Sequence, residues 1–176
     1  LPARPPAAKA RTLTLADLRG ARWVYNDPCS LSGYFSVLAA LRERGEGLGF
    51  FASARAIGSH HAALRAVAAG EADCAAIDSN TLLLERRAGR DPGLRVLESF
   101  GPFPVQPVVA RATLPVELKQ AIAAALLDMH RTEPGRGALA TCGVRRFAPI
   151  APADYEPERA LLAGAAEAVR CPAGTR

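Results

Sequence analysis

The residues best suited to chemistry lie in the run 26–34, which reads Asn-Asp-Pro-Cys-Ser-Leu-Ser-Gly-Tyr. A short apolar strand, predicted over 21–25, precedes this run, and helical periodicity follows it. Amides at a helix N-terminus lack intrahelical partners and lie at the positive end of the helix dipole, so they favour an anion. Ser30 and Ser32 add hydroxyl donors, and Gly33 allows a ligand to approach the backbone closely. The sequence therefore predicts an anion-binding turn.

Two later strand ends also carry polar or titratable groups. His60 and His61 follow Gly-Ser at the start of a predicted helix, and Asp78 directly follows the apolar run Cys-Ala-Ala-Ile. Ligands of an open parallel sheet bind beyond the carboxyl ends of its strands, so we expect His60 and Asp78 to share one rim with the two serines. The helix dipole and burial favour a neutral His60 imidazole, which can donate to an oxyanion.

Several of these residues also have a purely structural interpretation. Asp27 and Pro28 are predicted to shape the turn rather than to touch a ligand. Asp78 is nearly as well suited to be the N-cap of the helix that follows it. For His60 we favour the ligand contact over its structural alternative, a surface residue at a helix start. His61 lies about 100° around the helix from His60, so the two imidazoles do not readily face one ligand. We therefore interpret His61 as structural.

Hydrophobic periodicity predicts an α/β fold with a mainly parallel sheet flanked by helices. Strands alternate with helices along the first hundred residues, at a spacing typical of right-handed crossovers. The predicted strands are 21–25, 49–54, 72–77 and 94–99, and the predicted helices are 32–44, 59–69 and a third that ends near Arg87.

The pattern changes after Phe100. Pro107 interrupts an apolar run, which predicts an edge strand there. The predicted elements of this part are strands at 105–110 and 146–150 and helices near 115–130, 135–142 and 157–169. We divide the chain into a linker or tail at 1–14, an α/β ligand-binding lobe at 15–99 and a last segment at 100–176.

Composition argues against several classes of protein. The 176-residue chain has a net charge of +5, but its arginines are scattered and no aromatic residues interleave with them, which argues against nucleic-acid binding. No apolar stretch is long enough to cross a bilayer, so we expect no direct membrane insertion. The four cysteines lack metal-binding spacing, and we expect neither a metal nor a cofactor. Cys74, inside an apolar strand, is predicted to be a small buried hydrophobe.

Four ordered motifs also carry a family resemblance. The patterns L-x-D-L-R-G, N-D-P-x-S-x-S-G-Y, G-S-H and A-V-x-x-G-x-A-D-x-A-A-I-D resemble those of the phosphate/phosphite/phosphonate substrate-binding proteins of ABC transporters. The resemblance implies a type II periplasmic-binding-protein-like fold, in which two α/β lobes clamp a ligand between them. It implies no enzymatic activity. Its implied ligand contacts are Ser30, Leu31, Ser32, Gly33, His60 and Asp78.

The same resemblance implies partners and a location. The partners are a small phosphorus oxyanion and the membrane permease of an ABC importer, and the location is the periplasm, although residues 1–9 lack the apolar run of a signal peptide. A carboxylate repels a fully ionised anion unless a proton lies between them, so Asp78 suits a ligand that retains an acidic hydrogen. We therefore expect phosphonate, phosphite or phosphate to bind and sulfate not to bind.

Two departures from the family pattern lead to further expectations. Leu31 stands where the family usually has threonine, so one hydroxyl donor is missing while the backbone amide remains. Compared with the family pattern, we also expect the sequence as given to be without the family's first segment. On this view residues 15–99 form one complete lobe and residues from about 100 onward form the returning part of a partial second lobe. We expect the chain by itself to bind ligand weakly or not at all, because water screens a one-sided site.

Two other functions stay open from the residues alone. Cys29 near a helix start, with His60 and Asp78, suits the nucleophile, base and orienting group of a hydrolase. Alternatively, the two-lobe architecture is shared by ligand-sensing domains of some transcription regulators. Residues 1–20 contain no visible helix-turn-helix, which disfavours the regulator.

Overall fold

The computed structural model describes residues 14–90 and 93–165. The predicted tail, apart from Thr14, and the end of the helix predicted at 157–169 lie outside the described residues. The described chain divides into two compact units: the first runs to Ala76 and takes in Gly93–Gly101, and the second comprises the remainder. The predicted lobe boundary between residues 99 and 100 stays a prediction.

The first unit is built on a three-stranded parallel sheet with the order β2-β1-β3. The central strand β1 (Arg22–Tyr25) pairs with β2 (Ser53–Ala56) on one side and with β3 (Cys74–Ala75) on the other. Helix α1 (Ser36–Arg42) lies between β1 and β2 in the chain, and α2 (His60–Ala68) lies between β2 and β3. This alternation confirms the predicted α/β fold with a parallel sheet flanked by helices.

The core of the first unit covers both faces of β1. Trp23 and Val24 point to opposite faces, and only 1% and 2% of their surfaces are exposed. On the Trp23 face, the Tyr34 ring stacks on the indole with centroids 5.6 Å apart, and the Phe51 ring lies 4.9 Å away. Leu41 of α1 is fully buried. The polar turn after β1 therefore projects from the best-packed strand of the unit.

A charged cluster fixes the start of β1 against the turn that leads into β3. Asp73 accepts hydrogen bonds from Arg22 through the main-chain N–H at 2.8 Å and through Nε and Nη2 at 3.0 and 2.8 Å. The same guanidinium donates to the carbonyl oxygens of Glu71 and Gly70. The hydrogen bonds from Arg22 lower the pKa of Asp73 from 3.8 to about 2.

Asp73→Asn is expected to destabilise the fold and to reduce its acid sensitivity. Because the folded-state pKa of Asp73 is depressed, its contribution is present above the ordinary value of 3.8 and is lost as the pH falls to about 2. Urea unfolding across this range should show a shallower pH dependence in Asp73→Asn than in the parent chain. Asp128→Asn, which removes an exposed ion pair with Arg131, is the control. Equal pH dependences in Asp73→Asn and the parent would contradict this role for the cluster.

The described residues of the second unit form four α-helices. They are α3 (Ser79–Arg87), α4 (Val116–Asp128), α5 (Glu133–Thr141) and α6 (Glu156–Ala165), close to the predicted bounds. Neither α3 nor α4 contains a buried residue, so the described part of this unit has a small apolar core. Across the described residues of both units, every helix is too short or too polar to cross a membrane.

Three predicted strands are wrong. The residues predicted as strands at 94–99, 105–110 and 146–150 adopt neither helix nor strand. Within the described residues, 95–110 and 146–150 form no backbone–backbone hydrogen bond. A strand exists only through the ladder it makes with a neighbour, so an apolar β-prone run without a neighbouring strand remains irregular.

Candidate functional site

The turn that follows β1 is shaped by its own side chains. The Asp27 carboxylate accepts the Cys29 N–H at 2.7 Å, and the Asp27 carbonyl oxygen accepts the Ser30 N–H at 3.1 Å. Asp27 therefore orders the turn, as predicted. Ser30 is the N-cap of the helix that follows, and its Oγ accepts the Gly33 N–H at 3.1 Å. A hydroxyl that accepts in this way keeps its own hydrogen available to a ligand.

The helix after Ser30 opens with a wide π turn at Leu31–Phe35 before it continues as α1. The Tyr34 and Phe35 N–H groups both donate to the Ser30 carbonyl oxygen, at 3.1 and 3.0 Å. Within the described residues, the N–H groups of Leu31 and Ser32 have no acceptor. Two free amides therefore lie at the start of this helix. Turns of this π type are rare overall, and where they occur they are often at functional sites.

The turn before α2 extends from the same sheet. Main-chain hydrogen bonds join Ile57 N–H to the Tyr25 carbonyl oxygen at 2.8 Å and Gly58 N–H to the Asn26 carbonyl oxygen at 2.9 Å. Gly58 has φ +89°, which suits glycine, and Ser59 then caps α2 by accepting the Ala62 N–H at 3.1 Å. These bonds continue the pairing of β1 with β2 and hold the start of α2 beside the end of β1.

His60 and Ser32 are brought together by this arrangement. His60 Nε2 lies 3.4 Å from Ser32 Oγ, and both side chains are half-buried. Three of the predicted rim residues, Ser30, Ser32 and His60, therefore lie within the first unit, and Ser32 and His60 lie side by side near the two free amides. The ligand-binding role of these residues stays a prediction.

Asp78 belongs to the second unit, at the start of α3. Its Oδ1 accepts the N–H groups of Asn80 at 2.7 Å and Thr81 at 3.4 Å, so its alternative role as an N-cap is confirmed. A ligand contact by Asp78 stays a prediction. His61, which we interpreted as structural, is exposed.

Gly33 is required by packing rather than by backbone conformation. Its φ is not among the positive values of this chain, and a Cβ built on it would overlap Oδ1 of Asn26 and lie 3.2 Å from Ser30 Oγ. The sequence suggested instead that Gly33 leaves room for a ligand. The contact of Gly33 with the Asn26 side chain could not be predicted, because no local sequence pattern indicates which strand-end side chain packs against a helix start.

The cysteines differ in their chemistry. Cys29 is disulfide-bonded and so offers no thiolate, whereas Cys74 and Cys142 are free. Burial raises the pKa of Cys74 to about 12, which confirms the predicted small buried hydrophobe. Among the described residues, no group of three or more His, Cys, Asp or Glu is placed to hold a metal ion.

Thiol labelling should separate the two free cysteines of the described residues. Cys142 is exposed and should react with an aromatic disulfide reagent in the native protein, while Cys74 should react only after unfolding, because burial protects it and holds its thiol protonated. Mass spectrometry of the labelled peptides gives the measurement, and Cys142→Ser should leave the described cysteines unlabelled in the native protein. Rapid native labelling of Cys74 would contradict its buried position.

A sequence model of the family described as "ABC transporter, phosphonate, periplasmic substrate-binding protein" matches residues 6–155 of the 176-residue chain. The chain belongs to this family. The match includes the serine turn (residues 30–33), His60 and Asp78, and it confirms the family that the four motifs indicated. No curated protein matches the chain.

Phosphonate-binding proteins of this family are the substrate-binding components of ABC transporters and not enzymes. Membership therefore contradicts the hydrolase alternative, as does the disulfide at Cys29. Membership in the family implies two partners for this chain, a small ligand and an ABC transporter.

Proposed function

We propose that this protein binds a phosphonate-type oxyanion at the serine turn and delivers it to the permease of an ABC importer in the periplasm. The observation that carries the proposal is the donor cluster of the first unit. It consists of the free N–H groups of Leu31 and Ser32, the hydroxyls of Ser30 and Ser32, and the His60 imidazole 3.4 Å from Ser32 Oγ.

The chemistry of this cluster suits a tetrahedral oxyanion. Amides at a helix start point towards one region of space and carry the positive end of the helix dipole. Hydrogen bonds to an ionised acceptor are shorter and stronger than neutral ones. The missing threonine hydroxyl at Leu31 leaves its N–H as the donor at that position. The Gly33 N–H donates to Ser30 Oγ. We therefore assign Gly33 a close packing contact with the ligand rather than a hydrogen bond to it.

Asp78 supplies the selectivity in this proposal. We assign the Asp78 carboxylate as a further ligand contact, where it accepts a hydrogen that the ligand retains. Its Oδ1 caps α3, which leaves Oδ2 for that hydrogen. Monoanionic phosphonate, phosphite and phosphate carry such a hydrogen, and sulfate carries none at neutral pH.

The periplasmic location has support beyond the family. Disulfides persist in oxidising compartments such as the periplasm and are rare in the cytosol. The disulfide at Cys29, in the turn that holds the donors, is therefore in keeping with a periplasmic protein.

Calorimetric titration with methylphosphonate and with sulfate, extended to millimolar ligand, tests the function. Methylphosphonate should give saturable heat at the weak affinity expected of a one-sided site, and sulfate none, because only the phosphonate monoanion carries a hydrogen for Asp78. In Asp78→Asn the preference for methylphosphonate over sulfate should shrink. Equal affinities for the two anions in the parent chain would contradict the proposal.

A further inference from the structure

Asn26, at the end of β1, touches both halves of the donor cluster. Its carbonyl oxygen accepts the Gly58 N–H at 2.9 Å, two residues before His60. Its side-chain Oδ1 occupies the space where Gly33 would carry a Cβ. One residue therefore contacts the serine turn through its side chain and the turn before α2 through its main chain.

The side-chain oxygen of Asn26 sits in an unusual environment. Oδ1 is buried and has no hydrogen-bond partner within the described residues. It faces the Cα of Gly33, and a Cα–H is a weak donor towards a carbonyl oxygen. Buried carbonyl oxygens normally accept a hydrogen bond. Because Asn26 Oδ1 accepts none within the described residues and lies against Gly33, we attribute this contact to the position in which it holds the turn.

We propose that Asn26 is a positioning residue that sets the distance between Ser32 and His60. The Asn26 side chain packs against Gly33 and so sets the position of the π turn. The Asn26 carbonyl oxygen binds the Gly58 N–H and so sets the position of the turn before α2. A shift of Asn26 moves both turns relative to each other and changes the 3.4 Å separation of Ser32 Oγ and His60 Nε2. Its relevance to ligand binding rests on the proposed function, while its structural part does not.

The structural part is tested without ligand. In Asn26→Ala, the imidazole NMR signals of His60 should change, along with the amide signals of Ser32 and Gly33. Gln120→Ala removes an exposed carboxamide on α4 and should leave these signals unchanged. Unchanged His60 signals in a folded Asn26→Ala chain would overturn the proposal. Asn26→Ser, which keeps a small polar group at the strand end, replaces Asn26→Ala if the latter does not fold.

A double-mutant cycle tests the contact itself. Gly33→Ala should lower the melting temperature in the parent chain, because the new Cβ overlaps Asn26 Oδ1. It should lower the melting temperature less in the Asn26→Ala or Asn26→Ser background, where that oxygen is absent. Additive effects would overturn the proposal.

Ligand affinity completes the test. Asn26→Ala should bind methylphosphonate about tenfold more weakly than the parent, since binding sites tolerate only small displacements of their donors. Unchanged affinity in this variant would overturn the positioning role. A parent chain that binds no methylphosphonate, but shows the His60 changes and the coupling, would overturn the proposed function alone.

Discussion

Ser32→Ala is expected to weaken methylphosphonate binding by about 10- to 100-fold, because a hydrogen bond to a charged group contributes about 1.5–3 kcal/mol. Ser32 stands at the centre of the donor cluster: its N–H is free within the described residues and its Oγ lies 3.4 Å from His60 Nε2. The substitution removes the hydroxyl and leaves the amide and the helix in place. Its effect on binding should therefore exceed its effect on stability. Calorimetry and thermal melts on the same samples give both quantities.

Two matched substitutions make this result interpretable. Ser53→Ala removes an exposed hydroxyl from β2 and should change neither binding nor stability. Ser30→Ala removes both a proposed ligand donor and a helix cap, so it should weaken binding and also cost about 1 kcal/mol of stability. Thr132→Ala removes the equivalent cap of α5 and should show the loss of stability without the loss of binding. If Ser32→Ala bound methylphosphonate with the affinity of the parent chain, the Ser32 hydroxyl would not be a ligand contact.

Leu41→Ala is expected to destabilise the protein by about 2–5 kcal/mol, a large fraction of the stability of an ordinary domain. Leu41 is fully buried in the first unit, on the helix that continues from the serine turn. Truncation removes several methyl and methylene groups and leaves a cavity, because neighbouring side chains relax only partly. Urea unfolding followed by the fluorescence of Trp23, the single tryptophan of the chain, reports on this core directly.

Leu48→Ala is the control for this truncation. Leu48 lies in the same unit but is 38% exposed, so the same substitution there should cost well under half as much. If Leu41→Ala and Leu48→Ala unfolded at the same urea concentration, the packing described for the first unit would be wrong.

The parts of the site that could be predicted from sequence depend on local signals. Ser59 caps α2 and Asp78 caps α3, as their positions before apolar periodic runs indicated. Gly70 ends the α2 region with φ +74°, a conformation that glycine adopts without strain. The rim residues Ser32 and His60 could be paired from topology, because the carboxyl ends of neighbouring parallel strands lie at one edge of the sheet.

The parts that could not be predicted depend on contacts between distant residues. The wide turn at Leu31–Phe35 is a choice between two hydrogen-bond patterns that the same sequence allows. The sequence indicates only that Asn26 lies at the end of a strand. The packing of its side chain against Gly33 is visible in the structure alone. The apolar run at 105–110 has strand propensity, but propensity alone does not supply the neighbouring strand that a ladder requires.

The most direct test of the anion site is an NMR titration of the isotope-labelled chain with methylphosphonate. We predict saturable shifts of the Leu31 and Ser32 amide signals, together with the His60 imidazole signals, and none of these shifts with sulfate at the same concentration. Ser32→Ala should reduce the shifts at matched ligand concentration. Methylphosphonate shifts that spare Leu31 and Ser32, or equal shifts with sulfate, would contradict a phosphonate site at the serine turn.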